Sequence, residues 1–251
     1  MTVHFIGAGP GAEDLLTLRA QRLLAGSPVC LYAGSLVPAE VLGHCPADAR
    51  LIDTADLTLD EIVAHLVEAH EAGQDVARLC SGDPSIFSAV GEQLRRLDAH
   101  GVPYDITPGV PAFAAAAAAL KRELTVPRVG QTVILTRTSA RATPMPDGED
   151  LATLGASGAT LVLHLAVQRI DDVVAELLPN YGADCPVAVV AYASRADEVI
   201  LRGSLAGIAA SVRAAGIKRT AVIVVGRVLG EDGLSDSHLY SVARERGSAS
   251  S

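Results

Sequence analysis

Tryptophan is absent and aromatic residues are scarce, with three Phe and five Tyr in 251 residues. Lys and Arg total 20 against 29 Asp and Glu, a formal net charge of −9. Such a chain lacks both the stacking faces and the basic footprint of a general nucleic-acid binder. An anionic small molecule stays open, because a few well-placed arginines can override net charge locally. Long apolar runs are missing as well. The hydrophobic content of 49% comes in short stretches, below the run of about 18 residues that a membrane-spanning helix needs. The opening Met1-Thr2-Val3-His4-Phe5-Ile6-Gly7 puts no basic segment ahead of its apolar one, so no secretory leader is read there and a cytoplasmic location is expected. Cys30, Cys45, Cys80 and Cys185 are widely spaced and form no CxxC pair. Free thiols are therefore expected rather than disulfides or a zinc site. Of the seven histidines only His65 and His70 are close, at a spacing that puts them on different helix faces, so no metal site is expected. Neither GxSxG nor GxxxxGK[ST] occurs, which leaves hydrolase and kinase readings without a motif.

What the chain does have is alternation. Short β-like runs at residues 3–6, 28–32, 75–80 and 102–106 interleave with helical periodicity, the pattern of a parallel sheet with crossover helices. Leu15, Leu18, Ala20, Leu23 and Leu24 recur at helical spacing. Thr58-Leu59-Asp60-Glu61 has the form of a capping box, opening a helix with Ile62, Val63, Leu66 and Val67 as its apolar stripe and Gly73 at its close. Further helices are expected over about 86–100 and over the alanine-rich 112–120. After Pro127 strands are expected at 132–135, 160–165, 187–192, 199–203 and 221–225, with helices at 168–178 and 205–215. Too few residues separate 192 from 199 for a crossover helix, so that pair should be antiparallel and its sheet mixed. The expected fold is α/β in two domains: residues 1–120 with a mostly parallel sheet, residues 121–234 with a mixed one, and a tail over 235–251.

Three of the early strands run into glycine turns. Gly7-Ala8-Gly9-Pro10-Gly11-Ala12 fits the GxGxxG/A dinucleotide fingerprint. The second strand, however, ends in Leu31-Tyr32-Ala33-Gly34-Ser35 with no carboxylate for a ribose 2′-OH, and Pro10 removes one backbone N–H. What remains is a turn suited to close backbone approach of a ligand or a helix. In Ser81-Gly82-Asp83-Pro84, Asp83 stands just past a strand's C-terminal end, where open α/β sheets bind ligands. It reads either as an acceptor for a ligand or as the cap of a helix beginning near Ser85. Pro108-Gly109-Val110-Pro111 is the third turn.

Taken in order, the run Phe5 through Gly11 with Leu15-Leu16-Thr17-Leu18, then Ser81-Gly82-Asp83-Pro84-Ser85-Ile86-Phe87, then Pro108-Gly109-Val110, resembles the tetrapyrrole methylases. These are S-adenosylmethionine-dependent enzymes of the class III methyltransferase fold, and the resemblance runs from Val3 to about Val228. Leu31-Tyr32-Ala33-Gly34-Ser35-Leu36-Val37, Glu123-Leu124-Thr125 and Gln131-Thr132-Val133-Ile134-Leu135-Thr136-Arg137 resemble its branch acting on a corrin-pathway tetrapyrrole in cobalamin biosynthesis. The resemblance implies a homodimer, and the donor S-adenosylmethionine held in a cleft between two α/β domains. It implies donor contacts from Pro10, Ser81, Gly82, Asp83, Ile86, Pro111, Ala112, Leu165 and Ala193, with Ala221 beside the adenine. Pro111 stands where members often carry Ser or Thr, and Leu165 and Ala193 where others carry Met and Gly, so contacts there would come from backbone or apolar packing. The implied tetrapyrrole carries many carboxylates, so arginine clamps are expected from Arg137 and Arg141, which share a loop free of acids until Asp147, and from Arg195. No general base, metal, nucleic acid or membrane enters this expectation.

Overall fold

The computed structural model describes residues 1–139 and 144–230. By internal contacts the chain divides into two units, Met1–Ala116 with Tyr192–Glu198, and Ala117–Ala191 with the described residues from Val199 onward.

The first unit alternates strands β1 (Val3–Gly7), β2 (Val29–Tyr32), β3 (Arg50–Asp53), β4 (Val76–Cys80) and β5 (Tyr104–Thr107) with helices α1 (Leu18–Gly26), α2 (Ala39–Leu42), α3 (Leu59–Glu71) and α4 (Val90–Ala99), and α5 (Ala112–Leu120) follows. The five strands form one parallel sheet in the order β3-β2-β4-β1-β5. Period-two alternation gives each strand two apolar faces. Val3, Phe5, Val29, Leu31, Val76 and Cys80 pack with Ile62 and Leu66 of α3 and Leu97 of α4. Ile6, Cys30, Ala77 and Leu79 pack on the other side with Ala20 and Leu24 of α1 and Val41 of α2. Each of these fully buried large side chains contributes about 1.5–3 kcal/mol relative to exposure. The capping box forms: Thr58 Oγ1 accepts from the Glu61 N–H while the Glu61 carboxylate accepts from the Thr58 N–H.

In the first unit two expected boundaries shift by more than one residue. Helix α4 begins at Val90 rather than near residue 86, because Phe87 and Ala89 sit at φ +52° and +53°, in the left-handed region no α-helix uses. Strand β5 begins at Tyr104 rather than at residue 102, after Pro103, whose carbonyl accepts from the Val3 N–H at 3.0 Å but which has no N–H to pair.

The second unit holds β6 (Val133–Arg137), α6 (Leu151–Gly155), β7 (Thr160–His164), α7 (Ile170–Tyr181), β8 (Pro186–Ala191), β9 (Val199–Ser204), α8 (Ile208–Ala214) and β10 (Ala221–Val225). Its sheet runs β6-β7-β10-β8-β9 and is mixed. β6 and β7 are parallel, β10 is antiparallel to both β7 and β8, and β8 and β9 are antiparallel, as their short connection requires. Among the described residues no helix is long and apolar enough to cross a membrane, and no group of three His, Cys, Asp or Glu side chains is placed to hold a metal ion.

Candidate functional site

Strands β4, β1 and β5 are neighbours and run parallel, so their three glycine turns emerge side by side at one sheet edge. They are stitched backbone to backbone. Gly9 N–H donates to the Gly82 carbonyl at 3.2 Å and Gly82 N–H to the Gly9 carbonyl at 2.8 Å. A Cβ on Gly7 would overlap the Gly109 backbone and lie 2.8 Å from the Gly82 oxygen, and one on Gly109 would lie 2.7 Å from the Gly7 Cα. The glycines of different turns thus exist for one another, which no single motif displays.

Asp83 ties this edge together. One carboxylate oxygen accepts from the Gly109 N–H at 2.8 Å, and the other accepts from the Ser85 N–H at 2.8 Å and from the Ser85 hydroxyl. Partial burial pushes its pKa up, but the Ser85 and Gly109 hydrogen bonds outweigh it and hold the carboxyl below its usual range. Asp83 is therefore an anion at neutral pH. It caps the turn at Ser85, not a helix, since α4 begins at Val90.

Most of the expected donor positions in the first unit gather here. Ser81 is exposed on the rim, Pro10 and Ile86 are half-buried, and buried Gly82 sits where a Cβ would meet Ala112 N at 3.5 Å and Pro111 Cα at 3.6 Å. The β8–β9 connection joins them: Ser194 Oγ accepts from the Ala12 N–H at 3.0 Å, and the carbonyl of buried Ala193 lies 3.3 Å from where a Gly11 Cβ would be. Tyr192 and Ser194 hold φ +53° and +68° in this connection. The stem of Arg195 packs on Gly11, with its guanidinium 5.2 Å over the Tyr192 ring and its Nε donating to Asp197 at 3.1 Å.

In the second unit, β7 and β8 both oppose β10 and β6 parallels β7, so Arg137, Leu165 and Ala221 mark one edge of that sheet. Leu165 is 72% exposed at φ +55°. Arg137 donates to the carbonyls of Thr138 at 3.1 Å and Pro144 at 3.3 Å, and Arg169 donates to the Ser139 carbonyl at 2.6 Å. These two guanidinium groups brace both ends of a loop whose residues 140–143, Arg141 among them, lie outside the described residues.

Arg78 is the residue that pattern reading passes over. It stands in an otherwise apolar strand, Val76-Ala77-Arg78-Leu79-Cys80, and is 7% exposed. Its hydrogen-bond partners are all neutral: Gln93 Oε1 at 3.1 Å, Thr54 Oγ1 at 3.4 Å and the Leu79 carbonyl at 3.3 Å. Burial lowers its pKa from the usual guanidinium value. A buried cation without a carboxylate is costly, and an incoming anion would relieve it. The one visible signal is a charge at a position where a central strand is otherwise hydrophobic.

An α/β chain with one parallel and one mixed sheet, and with glycine turns interlocked at the strand ends, defines a ligand-binding enzyme class of the open-sheet kind. The chain belongs to the tetrapyrrole methylases: the family described as Tetrapyrrole (Corrin/Porphyrin) Methylases matches residues 2–209. It is 66% identical to a Rhodococcus erythropolis protein named precorrin-4 C(11)-methyltransferase, over 98% of this chain and 99% of that one. A Mycobacterium tuberculosis protein of the same name is 62% identical over 97% and 98%. Among solved structures, the cobalamin biosynthetic enzyme cobalt precorrin-4 methyltransferase, CbiF, is similar with a TM-score of 0.89 and 37% identity, over 91% of this chain and 96% of that one. A Thermus thermophilus uroporphyrin-III C-methyltransferase complexed with S-adenosylhomocysteine is similar with a TM-score of 0.78 and 29% identity, over 91% and 99%.

Proposed function

We propose that this chain methylates precorrin-4 at C11 with S-adenosylmethionine, giving precorrin-5 in cobalamin biosynthesis. The observation that carries the reading is identity of 54–66% along at least 95% of both partners to four proteins named for that reaction. Relatives named for the cobalt-bearing substrate are 44% and 37% identical, so the metal-free tetrapyrrole is the favoured acceptor.

The donor, when bound, supplies a methyl group already activated on a sulfonium. The protein's task is to align the acceptor carbon, methyl and sulfur and to keep water out. The rim around Pro10, Ser81, Gly82, Asp83, Ile86, Pro111, Ala112 and Ala193 suits a compact cationic ligand. Gly82 and Ala112 withhold side-chain bulk, and Asp83 is a fixed anion whose position is set by Gly109 and Ser85. Leu165 and Ala221 are the proposed donor contacts on the second sheet. No residue is assigned as a base.

The acceptor's carboxylates call for cations. Arg78 supplies a buried guanidinium in a neutral setting, and Arg137, Arg141 and Arg195 are the further proposed clamps. A homodimer in the cytoplasm completes the reading. Anaerobic incubation with S-adenosylmethionine tests it: precorrin-4 should gain the mass of one methyl, and uroporphyrinogen III should gain none. Transfer to uroporphyrinogen III alone would overturn the assigned substrate.

A further inference from the structure

Cys30 and Cys45 are nucleophilic side chains that methyl transfer leaves unused, and the fold sets one thiol against the other. Cys30 stands in β2, paired with Leu51 of β3 on one side and Ala77 of β4 on the other, and is fully buried in a cluster with Ala20, Leu24 and Val41. Cys45 follows α2 and packs, half-buried, on that same cluster. Its backbone is held there: the Cys45 N–H donates to the Leu42 carbonyl at 3.0 Å, and the His44 N–H donates to the Val41 carbonyl at 3.3 Å. The two thiols share a hydrogen bond. Cys80 and Cys185 are placed differently, their thiols donating to the backbone carbonyls of Arg78 at 4.0 Å and Pro186 at 3.7 Å.

The pair is asymmetric in the way that peroxide chemistry requires. Cys45 is within reach of solvent, and the hydrogen bond from Cys30 favours its thiolate, the form that attacks an oxidant. Cys30 has no exposed surface, so an electrophile reaches it only from inside, at the Cys45 sulfur. Its proton is held first by the hydrogen bond to Cys45 and then by burial, while the nearby Arg78 guanidinium favours the thiolate. Oxidation of Cys45 removes the first of these restraints and leaves Arg78 in place.

We propose that Cys45 is a peroxide-sensitive modification site, with Cys30 as its resolving thiol. The Cys45 thiolate sulfur bonds to one peroxide oxygen as the O–O bond breaks, giving a sulfenic acid and a hydroxide that is protonated to water. The Cys30 sulfur then bonds to the Cys45 sulfur as the S–O bond breaks, and the departing hydroxide takes the Cys30 proton, giving a disulfide and a second water. Two electrons pass from the thiols to the peroxide, and a dithiol reductant returns them. The link ties β2 to the end of α2 and closes a loop over residues 31–44. That loop carries the Gly34–Leu36 turn, which leaves β2 at the edge of the parallel sheet where the three glycine turns emerge.

To test this, the reduced full-length enzyme is treated with stoichiometric hydrogen peroxide, its remaining thiols are alkylated, and it is digested with trypsin. Cys30 and Cys45 fall in one peptide, residues 23–50, bounded by the cleavage sites at Arg22 and Arg50. That peptide should lose the mass of two hydrogens and carry no alkyl group, and dithiothreitol should restore both thiols. The peptides holding Cys80 and Cys185 should stay alkylated. With Cys30→Ala the sulfenic acid has no resolving partner, so dimedone should capture it on Cys45, and excess peroxide should carry it to the sulfinic acid. Cys45→Ser should leave Cys30 a free thiol. Because the link joins side chains already in contact, the oxidised wild type should melt at the same temperature as the reduced protein or higher. Alkylation of both thiols in peptide 23–50, oxidation falling first on Cys80 or Cys185, a sulfinic acid on wild-type Cys45 without a disulfide, or a lower Tm of the oxidised protein would each overturn the proposal. The wild-type digest decides the matter even if the Cys30→Ala chain fails to fold.

Discussion

Asp83 spends its carboxylate on Ser85 and on the neighbouring turn through Gly109. Its pKa is lower folded than unfolded, so its stabilising contribution is complete above the ordinary carboxylate value and is lost as pH falls through the lowered one. Thermal unfolding followed from neutrality to acid should show wild type losing stability below about pH 4, and Asp83→Asn declining less steeply there. Equal slopes would remove Asp83 from the pH dependence. The glycines divide in the same way. Gly7→Ala drives a Cβ into the Gly109 backbone and should cost roughly 3 kcal/mol or more, visible as a large drop in Tm or as insoluble protein. Gly26→Ala, at the end of α1 with open space around it, should be neutral or stabilising by up to about 1 kcal/mol. The thiols offer a third check. A hydrogen bond from Cys30 lowers the Cys45 pKa, while that contact and burial push Cys30 well up. Iodoacetamide at neutral pH should therefore label half-buried Cys45 before Cys30. Free thiols were readable from the missing CxxC, but a contact between residues 15 apart was not.

Among the elements, those with a local signature were legible. The capping box at Thr58, the alanine helix α5 and the antiparallel β8–β9 pair each follow from neighbouring residues. Thr58→Ala should cost about 1 kcal/mol, lowering the urea midpoint without changing m; an unchanged midpoint would mean that the exposed box adds nothing. Strand β3 escaped notice because it is a four-residue edge with Arg50 and Asp53 at its ends and mostly exposed side chains. Helix α4 starts late because Phe87 and Ala89 are held left-handed by contacts that Asp83, Pro84 and Gln93 make across the loop. The site was legible in its parts, as three glycine turns, but not in its assembly. Gly7 and Gly109 are 102 residues apart in sequence, and only the strand order β4-β1-β5 brings them together.

At the scale of the whole molecule, composition and alternation were enough for the α/β class, and the two sheets with their intervening helices agree with it. Composition also posed the electrostatic problem of a polycarboxylate acceptor on a chain of net charge −9. Buried Arg78 is the proposed answer, and pattern alone hid it, because a single arginine in an apolar strand has no motif around it. If the donor reading holds, S-adenosylhomocysteine at 100 times its Kd should stabilise the fold by about 2.7 kcal/mol, and NAD at the same concentration should not shift Tm. The most direct test of the assigned reaction is the carbon NMR spectrum of the product made from precorrin-4 and S-adenosylmethionine carrying a labelled methyl. The account predicts a single enriched methyl on C11. Enrichment at any other ring carbon, or none, would contradict it.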